Sequence, residues 1–338
     1  MRLLVTGGCG FIGSNFVRFL LKKYPDYKII NLDKLTYAGN LENLSGVEKN
    51  LNYKFIQGDI CNSQLVNQIL EEEQIDSIIN FAAESHVDRS LYDPMVFVQT
   101  NFVGTQVLLQ SALQHKVSLF LQISTDEVYG PVLGNQKYKE DEPLSPSSPY
   151  AASKASADLL ALSYFKSFNL PLVIARPTNN FGAYQFPEKL IPLFISNALE
   201  DKSLPIYGDG LYIRDWLYVE DHCQALDLIL HKGMKGEIYN ISSHNEKTNL
   251  EITNLILGGL GKPKSLIKHV PDRPAHDRRY ALDSTKLEKE LGWKSKISFE
   301  KALQETINWY KTNKSWWERV KSGEYQKYYE KHYAYLKK

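Results

Sequence analysis

The sequence of 338 residues has a net charge of only +1, with 23% charged and 43% apolar residues. These values are typical of a globular protein with a large core, and they argue against nucleic acid or an anionic membrane as a partner. Three scattered cysteines without a CxxC motif indicate a reducing compartment, taken as the cytoplasm, and no metal site. We expect neither a signal peptide nor a membrane span, because the first strand begins at once and no apolar run is long enough.

The chain opens with a strand, a glycine-rich turn and a helix, which together predict a dinucleotide-binding site. Residues 2–6 form a mostly apolar run, and residues 14–24 carry apolar side chains on one helical face. Between them, Gly7, Gly10 and Gly13 allow a tight turn, approach of the backbone to a pyrophosphate, and close helix–strand packing. The helix N-terminus adds free N–H groups that bind phosphate.

An acidic residue at the end of the second predicted strand, residues 28–32, indicates which dinucleotide binds. Asp33 lies twenty residues after Gly13, where an acid binds the ribose hydroxyls of adenosine and repels a 2′-phosphate. We therefore predict NAD rather than NADP, although the neighbouring Lys34 favours NADP.

Further apolar runs predict the remaining strands of a parallel sheet, at residues 53–57, 77–81, 119–123 and 172–176. Asp59 has two interpretations: it caps the helix that begins near Ser63, or it contacts the adenine. A long helix is predicted over residues 94–115, with a broad apolar surface that suits both core burial and a partner helix.

Two adjacent acids, Asp126 and Glu127, follow the strand that ends at Ile123. Ligands of an open α/β sheet bind outside the carboxyl ends of its strands, so these carboxylates are expected at a ligand site.

Tyr150 and Lys154 are four residues apart, so they share a face of a helix that is predicted to end near residue 168. A nearby ammonium lowers the pKa of a phenol, and a phenolate can take a proton from a sugar or alcohol hydroxyl. Taken alone, this spacing is more commonly an ordinary surface pair.

The composition changes after the strand at residues 172–176. Residues 178–211 are rich in Asn, Pro, Gly and aromatic side chains, which indicates a second lobe over the strand ends. Residues 214–221 lead into a helix that returns to the first lobe, and residues 272–280 carry arginines among prolines and tyrosines. The guanidinium group of arginine can bind a phosphate through two parallel hydrogen bonds, although a single arginine is more commonly part of a solvated loop.

These elements predict an α/β fold, with a Rossmann-type doubly wound parallel sheet and a smaller C-terminal substrate-binding lobe. The NAD-binding domain is predicted at residues 1–178, with a return segment at about 212–242. The second lobe is predicted at residues 179–211 and 243–338.

The same segments resemble the extended short-chain dehydrogenase/reductase superfamily over nearly the whole chain. Within it they are similar to the nucleotide-sugar 4,6-dehydratases that act on dTDP-glucose in rhamnose-type sugar biosynthesis. The resemblance rests on residues 6–13, 33–39, 82–90, 124–130, 148–154, 186–192, 214–222 and 272–280. The Asp-Glu pair after Thr125 is the discriminating feature, because epimerases of the superfamily have small or polar residues instead.

The resemblance implies catalysis by an internal redox cycle with bound NAD. It assigns Tyr150, held by Lys154, to removal of the proton from the carbon 4 hydroxyl. Glu127 is suited to remove the carbon 5 proton and Asp126 to protonate the departing carbon 6 hydroxyl, while Thr125 hydrogen-bonds the carbon 4 oxygen. An acid and a base need different protonation states, so their environments must differ.

Binding residues are also implied by the resemblance. Those for NAD are Gly7, Gly10, Phe11, Ile12, Gly13, Asp33, Lys34, Leu35, Thr36, Asp59, Ile60, Ala82, Ala83, Thr100, Tyr150, Lys154 and Asn180. Those for the nucleotide sugar are Ser85, His86, Thr125, Asn179, Glu188, Lys189, Leu190, Pro205, Tyr207, Arg214, Asn249, Arg273, His276 and Tyr280. Among these, Arg214 and Arg273 are the candidates for the diphosphate. The superfamily further implies a homodimer, with the helices of residues 94–115 and 150–168 at its two-fold axis.

Other functions remain open at this point. A nucleotide-sugar epimerase or decarboxylase would share the fold, but the acid pair argues against it. An NAD-binding regulator without activity would not need Tyr150, Lys154 and both acids. His86 could be a catalytic base, although a positioning role is more usual, and the nucleotide could carry thymidine or uridine.

Departures from the family pattern are few and concern the shape of the substrate loops. The loop between Gly130 and Pro146 is short, Ala275 stands where the family usually has glycine, and Thr178 and Phe181 replace common alternatives beside the two asparagines.

Overall fold

The computed structural model describes residues 1–274 and 276–322. Two predictions lie outside the described residues. They are Ala275, where the sequence departs from the family pattern, and residues 323–338 at the C-terminal end of the predicted second lobe. Within these ranges, no helix is both long enough and apolar enough to cross a membrane.

The centre of the fold is a parallel sheet of seven strands in the order β10-β6-β5-β4-β1-β2-β3. Its strands are β1 Arg2–Thr6, β2 Lys28–Asp33, β3 Tyr53–Gln57, β4 Ser77–Asn80, β5 Leu119–Ile123, β6 Leu172–Pro177 and β10 Ile238–Ile241. The strand order reverses beside β1, where the chain crosses from β3 to β4 on the other side of it. In such sheets the ligand crevice lies at this reversal, so the predicted doubly wound α/β fold is confirmed.

Helices connect the strands and cover both faces of the sheet, as parallel strands require. They are α1 Phe11–Lys23, α2 Ser63–Glu72, α3 Val87–Tyr92, α4 Pro94–Phe97, α5 Thr105–Gln114, α6 Pro149–Phe168 and α8 Val219–Lys232. Short 3₁₀ turns lie at Leu41–Leu44 and Asp126–Tyr129. One core joins α1 and α8 to the sheet, and a second lies under α2, α5 and α6.

Two helices differ from their predicted bounds. The first begins at Phe11 rather than Ser14, because Gly10 is already its N-cap and the glycine turn runs directly into it. The helix predicted over residues 94–115 is interrupted by a π-helical stretch, Val98–Gly104, between α4 and α5. Single π-helical turns inside α-helices are frequent at functional sites, and Thr100 of this stretch faces the cleft described below.

Two small sheets lie beside the main one. The first pairs β7 Asn179–Phe181 with β9 Ile213–Tyr218 in parallel, and β9 with β11 Glu246–Thr248 in antiparallel orientation. The second pairs β8 Leu204–Tyr207 with β12 Ile267–Val270. The remaining helices are α7 Leu190–Leu199, α9 Asn249–Leu260, α10 Thr285–Leu291, α11 Phe299–Thr312 and α12 Lys314–Lys321, with a 3₁₀ turn at Lys264–Leu266. The division of the chain into two lobes stays a prediction.

Candidate active site and cofactor cleft

A cleft of about 300 Å³ lies at the carboxyl ends of the parallel strands. The loops that follow β1 to β6 all contribute to its lining. Every predicted NAD-binding residue except Leu35 lines it, as do five of the predicted substrate-binding residues: Ser85, Thr125, Asn179, Glu188 and Lys189. The tertiary structure therefore brings the predicted cofactor site and the predicted catalytic residues into one cavity.

The glycine-rich turn forms one wall of the cleft. Gly7 has a positive φ of 70°, and a Cβ atom there would lie 2.7 Å from the backbone nitrogen of Ala82. A Cβ atom on Gly13 would lie 2.4 Å from the carbonyl oxygen of Gly7. Side chains at either position would therefore block the close approach of β1, α1 and the loop after β4, which keeps the N-terminus of α1 open towards a phosphate.

Asp33 lies at the end of β2 and accepts two backbone hydrogen bonds. Its Oδ2 atom accepts from the Cys9 N–H at 2.8 Å, and its Oδ1 atom accepts from the Leu35 N–H at 2.8 Å. These bonds fix the carboxylate between the glycine turn and the following loop, at the cleft wall. Leu35 itself packs against the main core instead of lining the cleft.

Lys34 and Asp59 are paired rather than free. The Lys34 ammonium lies 2.7 Å from the Asp59 carboxylate, so its positive charge is partly compensated where a 2′-phosphate would sit. The cap of α2 is Asn62, whose side chain accepts from the Leu65 N–H. The interpretation of Asp59 as a helix cap was therefore wrong, and its contact with adenine stays a prediction.

These features fit NAD. The cleft combines a glycine turn without room for side chains, an open helix N-terminus and an acid at the end of the neighbouring strand. Those are the elements that bind a pyrophosphate and the ribose of adenosine in a dinucleotide fold.

The acids Asp126 and Glu127 lie in the 3₁₀ turn that follows β5. Thr125 caps this turn, because its hydroxyl accepts from the Glu127 N–H at 3.3 Å. Gly130 ends the turn with φ of 77°, and a Cβ atom there would lie 2.2 Å from the Ser145 carbonyl oxygen. A tight turn with a glycine exit thus presents both acids to the cleft.

The two acids have different surroundings. Asp126 is 3% exposed, and burial together with the charge of Glu127 raises its pKa to about 8. Burial also raises the pKa of Glu127, but the cationic side chains of Arg273, Arg214 and Lys189 oppose that shift. Asp126 is therefore the acid that keeps its proton at neutral pH, whereas Glu127 is surrounded by charges that favour its ionised form.

Tyr150 and Lys154 lie in the first turns of α6 and both line the cleft. Burial and the charge of Glu127 raise the pKa of Tyr150, and a hydrogen bond from Thr125 opposes this. The expected lowering of that pKa by Lys154 was wrong for this geometry, because the ammonium donates to the Ile123 carbonyl at 2.6 Å. Burial lowers the pKa of Lys154 itself to about 8.

Beyond the cleft lining, the remaining predicted substrate residues form contacts with one another. Arg273 forms an ion pair with Asp88, and the Tyr207 hydroxyl donates to the same carboxylate at 3.2 Å. The Arg214 guanidinium lies 4.4 Å from the ring centroid of Tyr280.

Other members of the predicted substrate set lie in the same part of the fold. The His276 ring stacks on Tyr212 at 3.6 Å between centroids. Pro205 is in β8, and Asn249 and Leu190 begin α9 and α7.

His86 and Glu188 belong to a buried cluster that sequence reasoning found only in part. The Tyr37 hydroxyl donates to Glu188 at 3.0 Å, and the Arg89 guanidinium lies 3.3 Å from the same carboxylate. Arg89 also lies over the Tyr37 ring, 3.7 Å from its centroid. Burial holds the pKa of His86 well below its ordinary value, so this histidine is neutral, in keeping with a positioning role. Tyr37 and Arg89 were missed because no spacing pattern links them to Glu188.

Comparisons with known proteins agree with this geometry. A family model described as GDP-mannose 4,6 dehydratase matches residues 4–306. The dTDP-glucose 4,6-dehydratase of Streptomyces niveus is 48% identical, over 95% of this chain and 96% of that protein. The solved dTDP-glucose 4,6-dehydratase of Bacillus anthracis, in complex with NAD, is 49% identical with a TM-score of 0.90, over 95% of this chain and 99% of that one.

An epimerase of the same fold is more distant. The solved UDP-glucose 4-epimerase of Thermotoga maritima, with UDP-glucose, is 30% identical with a TM-score of 0.86, over 92% of this chain and 99% of that one. The fold is thus shared with epimerases, whereas the dehydratases match the sequence more closely. The chain therefore belongs to the family described as GDP-mannose 4,6 dehydratase, and within it to the dTDP-glucose 4,6-dehydratases.

Proposed function

We propose that this protein is an NAD-dependent dehydratase that converts dTDP-glucose into dTDP-4-keto-6-deoxyglucose and water. The observation that carries the proposal is the acid pair, with Asp126 buried and Glu127 half-buried, in the same cleft as Tyr150 and Lys154. Relatives at 48–49% identity over nearly the full chain bear the same activity in their names.

The glycine turn and Asp33 would hold NAD, which would supply the hydride acceptor for carbon 4 of the sugar and the hydride donor for carbon 6. Tyr150 takes the proton of the carbon 4 hydroxyl, and the Thr125 hydroxyl, which hydrogen-bonds the Tyr150 oxygen, orients that exchange. The positive charge of an oxidised nicotinamide would favour the phenolate and would oppose the effect of burial on the Tyr150 pKa. Lys154, one helical turn further, is bound through its ammonium to the Ile123 carbonyl.

The elimination step needs one acid and one base, and the two neighbouring carboxyl groups divide these roles. The 4-ketone acidifies the hydrogen on carbon 5, which Glu127 removes. Asp126, with its pKa raised to about 8, still carries a proton at pH 7 and donates it to the departing carbon 6 hydroxyl. Neighbouring carboxylates with different pKa values are the pattern of such acid–base pairs.

The nucleotide diphosphate is assigned to Arg214 and Arg273. Both guanidinium groups are close enough to Glu127 to influence its pKa, so an anion bound between them would lie beside the sugar site. Arg273 is already paired with Asp88, which holds it in place through the first turn of α3. The assignment of thymidine as the base rests on the relatives.

We further propose that the protein works as a homodimer in the cytoplasm. The helical segment of residues 94–98 and the helix α6 carry exposed apolar side chains: Met95, Val96, Val98, Leu159 and Phe168 are 40–67% exposed. Exposed apolar surface on two neighbouring helices suits a two-fold helical interface. Cys9, Cys61 and Cys223 are free thiols, in keeping with a reducing compartment.

Incubation of the purified protein with dTDP-glucose and, separately, UDP-glucose tests the activity. We expect loss of one water from dTDP-glucose by mass, and the alkaline absorbance of a 4-keto-6-deoxy sugar. Denaturation of the same preparation should release NAD or NADH, and NADP as the main nucleotide would contradict the cofactor assignment. A product epimerised at carbon 4, with no loss of mass, would favour the epimerase alternative.

A further inference from the structure

A buried ion pair lies directly behind the catalytic groups. Asp158 is in α6, one helical turn after Lys154 and two turns after Tyr150. Its Oδ2 atom accepts from Arg176 Nε of β6 at 2.9 Å. The two side chains are 0% and 2% exposed, so the pair is fully removed from water. No step of the proposed reaction uses either group directly.

Each member of this pair also contacts one end of the segment Ser124–Tyr129. We call this segment the acid turn, because it carries Asp126 and Glu127. The Ser124 hydroxyl donates to Asp158 Oδ2 at 2.8 Å. Arg176 Nη1 donates to the Tyr129 hydroxyl at 2.7 Å, and its guanidinium lies 4.7 Å from the centroid of that ring. Ser124 directly precedes Thr125, and Tyr129 is the last residue of the turn that carries Asp126 and Glu127. One ion pair thus holds the turn at both of its ends.

The contacts continue beyond Tyr129. Its hydroxyl donates to the Asn240 Oδ1 atom of β10 at 2.9 Å, and the Asn240 amide donates to the Tyr138 carbonyl at 3.0 Å. The acid turn is therefore tied to α6 on one side and to the edge of the sheet on the other. The connection to α6 runs from Ser124 to Asp158, whereas Tyr129 contacts both Arg176 and the sheet edge at Asn240.

Stability alone does not explain such a pair. Desolvation of two charges costs about as much as their attraction gains, and apolar residues of similar size often stabilise a fold equally well or better. The geometry offers another explanation, because the two groups of catalytic side chains come from different elements. Tyr150 and Lys154 are placed by α6, whereas Asp126 and Glu127 are placed by the turn after β5.

We propose that Asp158 and Arg176 are positioning residues, which hold the acid turn in a fixed place relative to Tyr150 and Lys154. Tyr150, Glu127 and Asp126 act at three consecutive carbons of one sugar, so the oxidation and elimination groups must be held in a fixed position relative to one another. A displacement of about 1 Å in such a site can cost roughly 100-fold in rate. This inference rests on the proposed function for its kinetic consequence, but the contacts that it describes are independent of the substrate.

The decisive variant replaces both charges, Asp158→Leu together with Arg176→Met. Single replacements leave an unpaired buried charge and are expected to lower the melting temperature, whereas the double variant should melt close to the native protein. At equal folding and NAD content, we expect kcat of the double variant to fall about 10- to 100-fold, with KM for dTDP-glucose unchanged. A double variant with native kcat would overturn the proposal.

A second measurement does not depend on activity. In the double variant, hydrogen–deuterium exchange of residues 124–130 should rise, while exchange in β5 and in α6 stays native. Native protection of this segment would also overturn the proposal, even if the protein proved not to act on dTDP-glucose. The failure of the proposed function and the failure of this inference are therefore separable.

Two further variants complete the design. Arg176→Lys keeps a charge beside Asp158 but cannot reach Asp158 and Tyr129 together, so it should fold normally and show a partial loss of kcat. Leu70→Ala, in the second core under α2, should lower the melting temperature without changing kcat, KM or exchange of the turn. An equal loss of kcat in Leu70→Ala would show that general destabilisation, and not positioning, causes the effect.

Discussion

Asp126 and Glu127 are consecutive residues of one 3₁₀ turn, and the charge of Glu127 is second only to burial in raising the pKa of Asp126 to about 8. The surroundings of Glu127 differ, because the cationic side chains of Arg273, Arg214 and Lys189 oppose the rise of its pKa by burial. Asp126 is thus a protonated acid next to Glu127, and three cationic side chains favour the ionised form of Glu127. This asymmetry is what elimination of water across two adjacent carbons requires.

Asp126→Asn should separate elimination from oxidation. The amide cannot donate an acidic proton, so we expect a loss of about 10²–10⁴-fold in dehydration. Oxidation at carbon 4 uses Tyr150 and should continue, so enzyme-bound NADH should build up and be visible by absorbance. Asp141→Asn, an exposed acid in the loop after the turn, is the matched control and should keep native activity. Dehydration at the native rate in Asp126→Asn would make this acid structural.

The raised pKa of Asp126 also predicts a pH-dependent stability. Between its ordinary value of 3.8 and its folded value of about 8, the folded protein keeps a proton that the unfolded chain has lost. The folded state therefore binds more protons, and the stability contributed by this group falls as pH rises through that window. Asn cannot ionise, so the Asp126→Asn variant does not lose this stability. The melting temperature of the variant minus that of the native protein should therefore increase from about pH 4 to pH 8. A difference that stays constant over this range would contradict the assigned pKa.

Glu127→Gln should affect the carbon 5 proton. Without the carboxylate, exchange of the carbon 5 hydrogen with solvent deuterium should slow by about 10²–10⁴-fold, because no base of comparable placement remains. The exchange can be followed by mass spectrometry or NMR of the recovered sugar. Glu142→Gln, an exposed acid of the following loop, should exchange at the native rate. Native exchange in Glu127→Gln would assign the base to another residue.

Tyr150→Phe should stop the cycle before any NADH forms. Phe retains the aromatic packing on Phe97, whose ring centroid is 6.3 Å away, but it lacks the hydroxyl that takes the proton. We expect a folded, NAD-loaded protein without NADH build-up when dTDP-glucose is added. Tyr164→Phe on the same helix loses only a 3.1 Å hydrogen bond to Gln110 and is the control. NADH formation in Tyr150→Phe would refute this assignment.

Leu159→Glu should disrupt the proposed dimer. Leu159 is 57% exposed on α6, and a charge placed in an apolar interface is costly to bury. Light scattering at micromolar concentration should give a mass of two chains for the native protein and of one chain for the variant. Leu51→Glu, 99% exposed in a turn before β3, should remain dimeric. A mass of one chain for the native protein would contradict the proposed dimer.

The local patterns of the sequence predicted the elements that line one side of the cleft. Glycines at 7, 10 and 13, between an apolar run and an amphipathic segment, predicted the turn that the structure contains. Asp33 and the four-residue spacing of Tyr150 and Lys154 were likewise readable, because both depend on the regular geometry of a strand or a helix. The order of short buried strands and longer helices also predicted the doubly wound sheet.

The pKa shifts in the site and the ion-pair partners of its charged side chains could be seen only in the tertiary structure. The sequence placed Lys154 near Tyr150, but only the fold directs its ammonium to the Ile123 carbonyl and leaves burial to dominate the phenol. Neither Asp158 nor Arg176 belongs to any spacing pattern, and they meet because α6 packs against β6. Periodicity specifies which face a residue takes on its own element, whereas a pKa or an ion pair depends on burial and on charges that chain folding brings from distant positions.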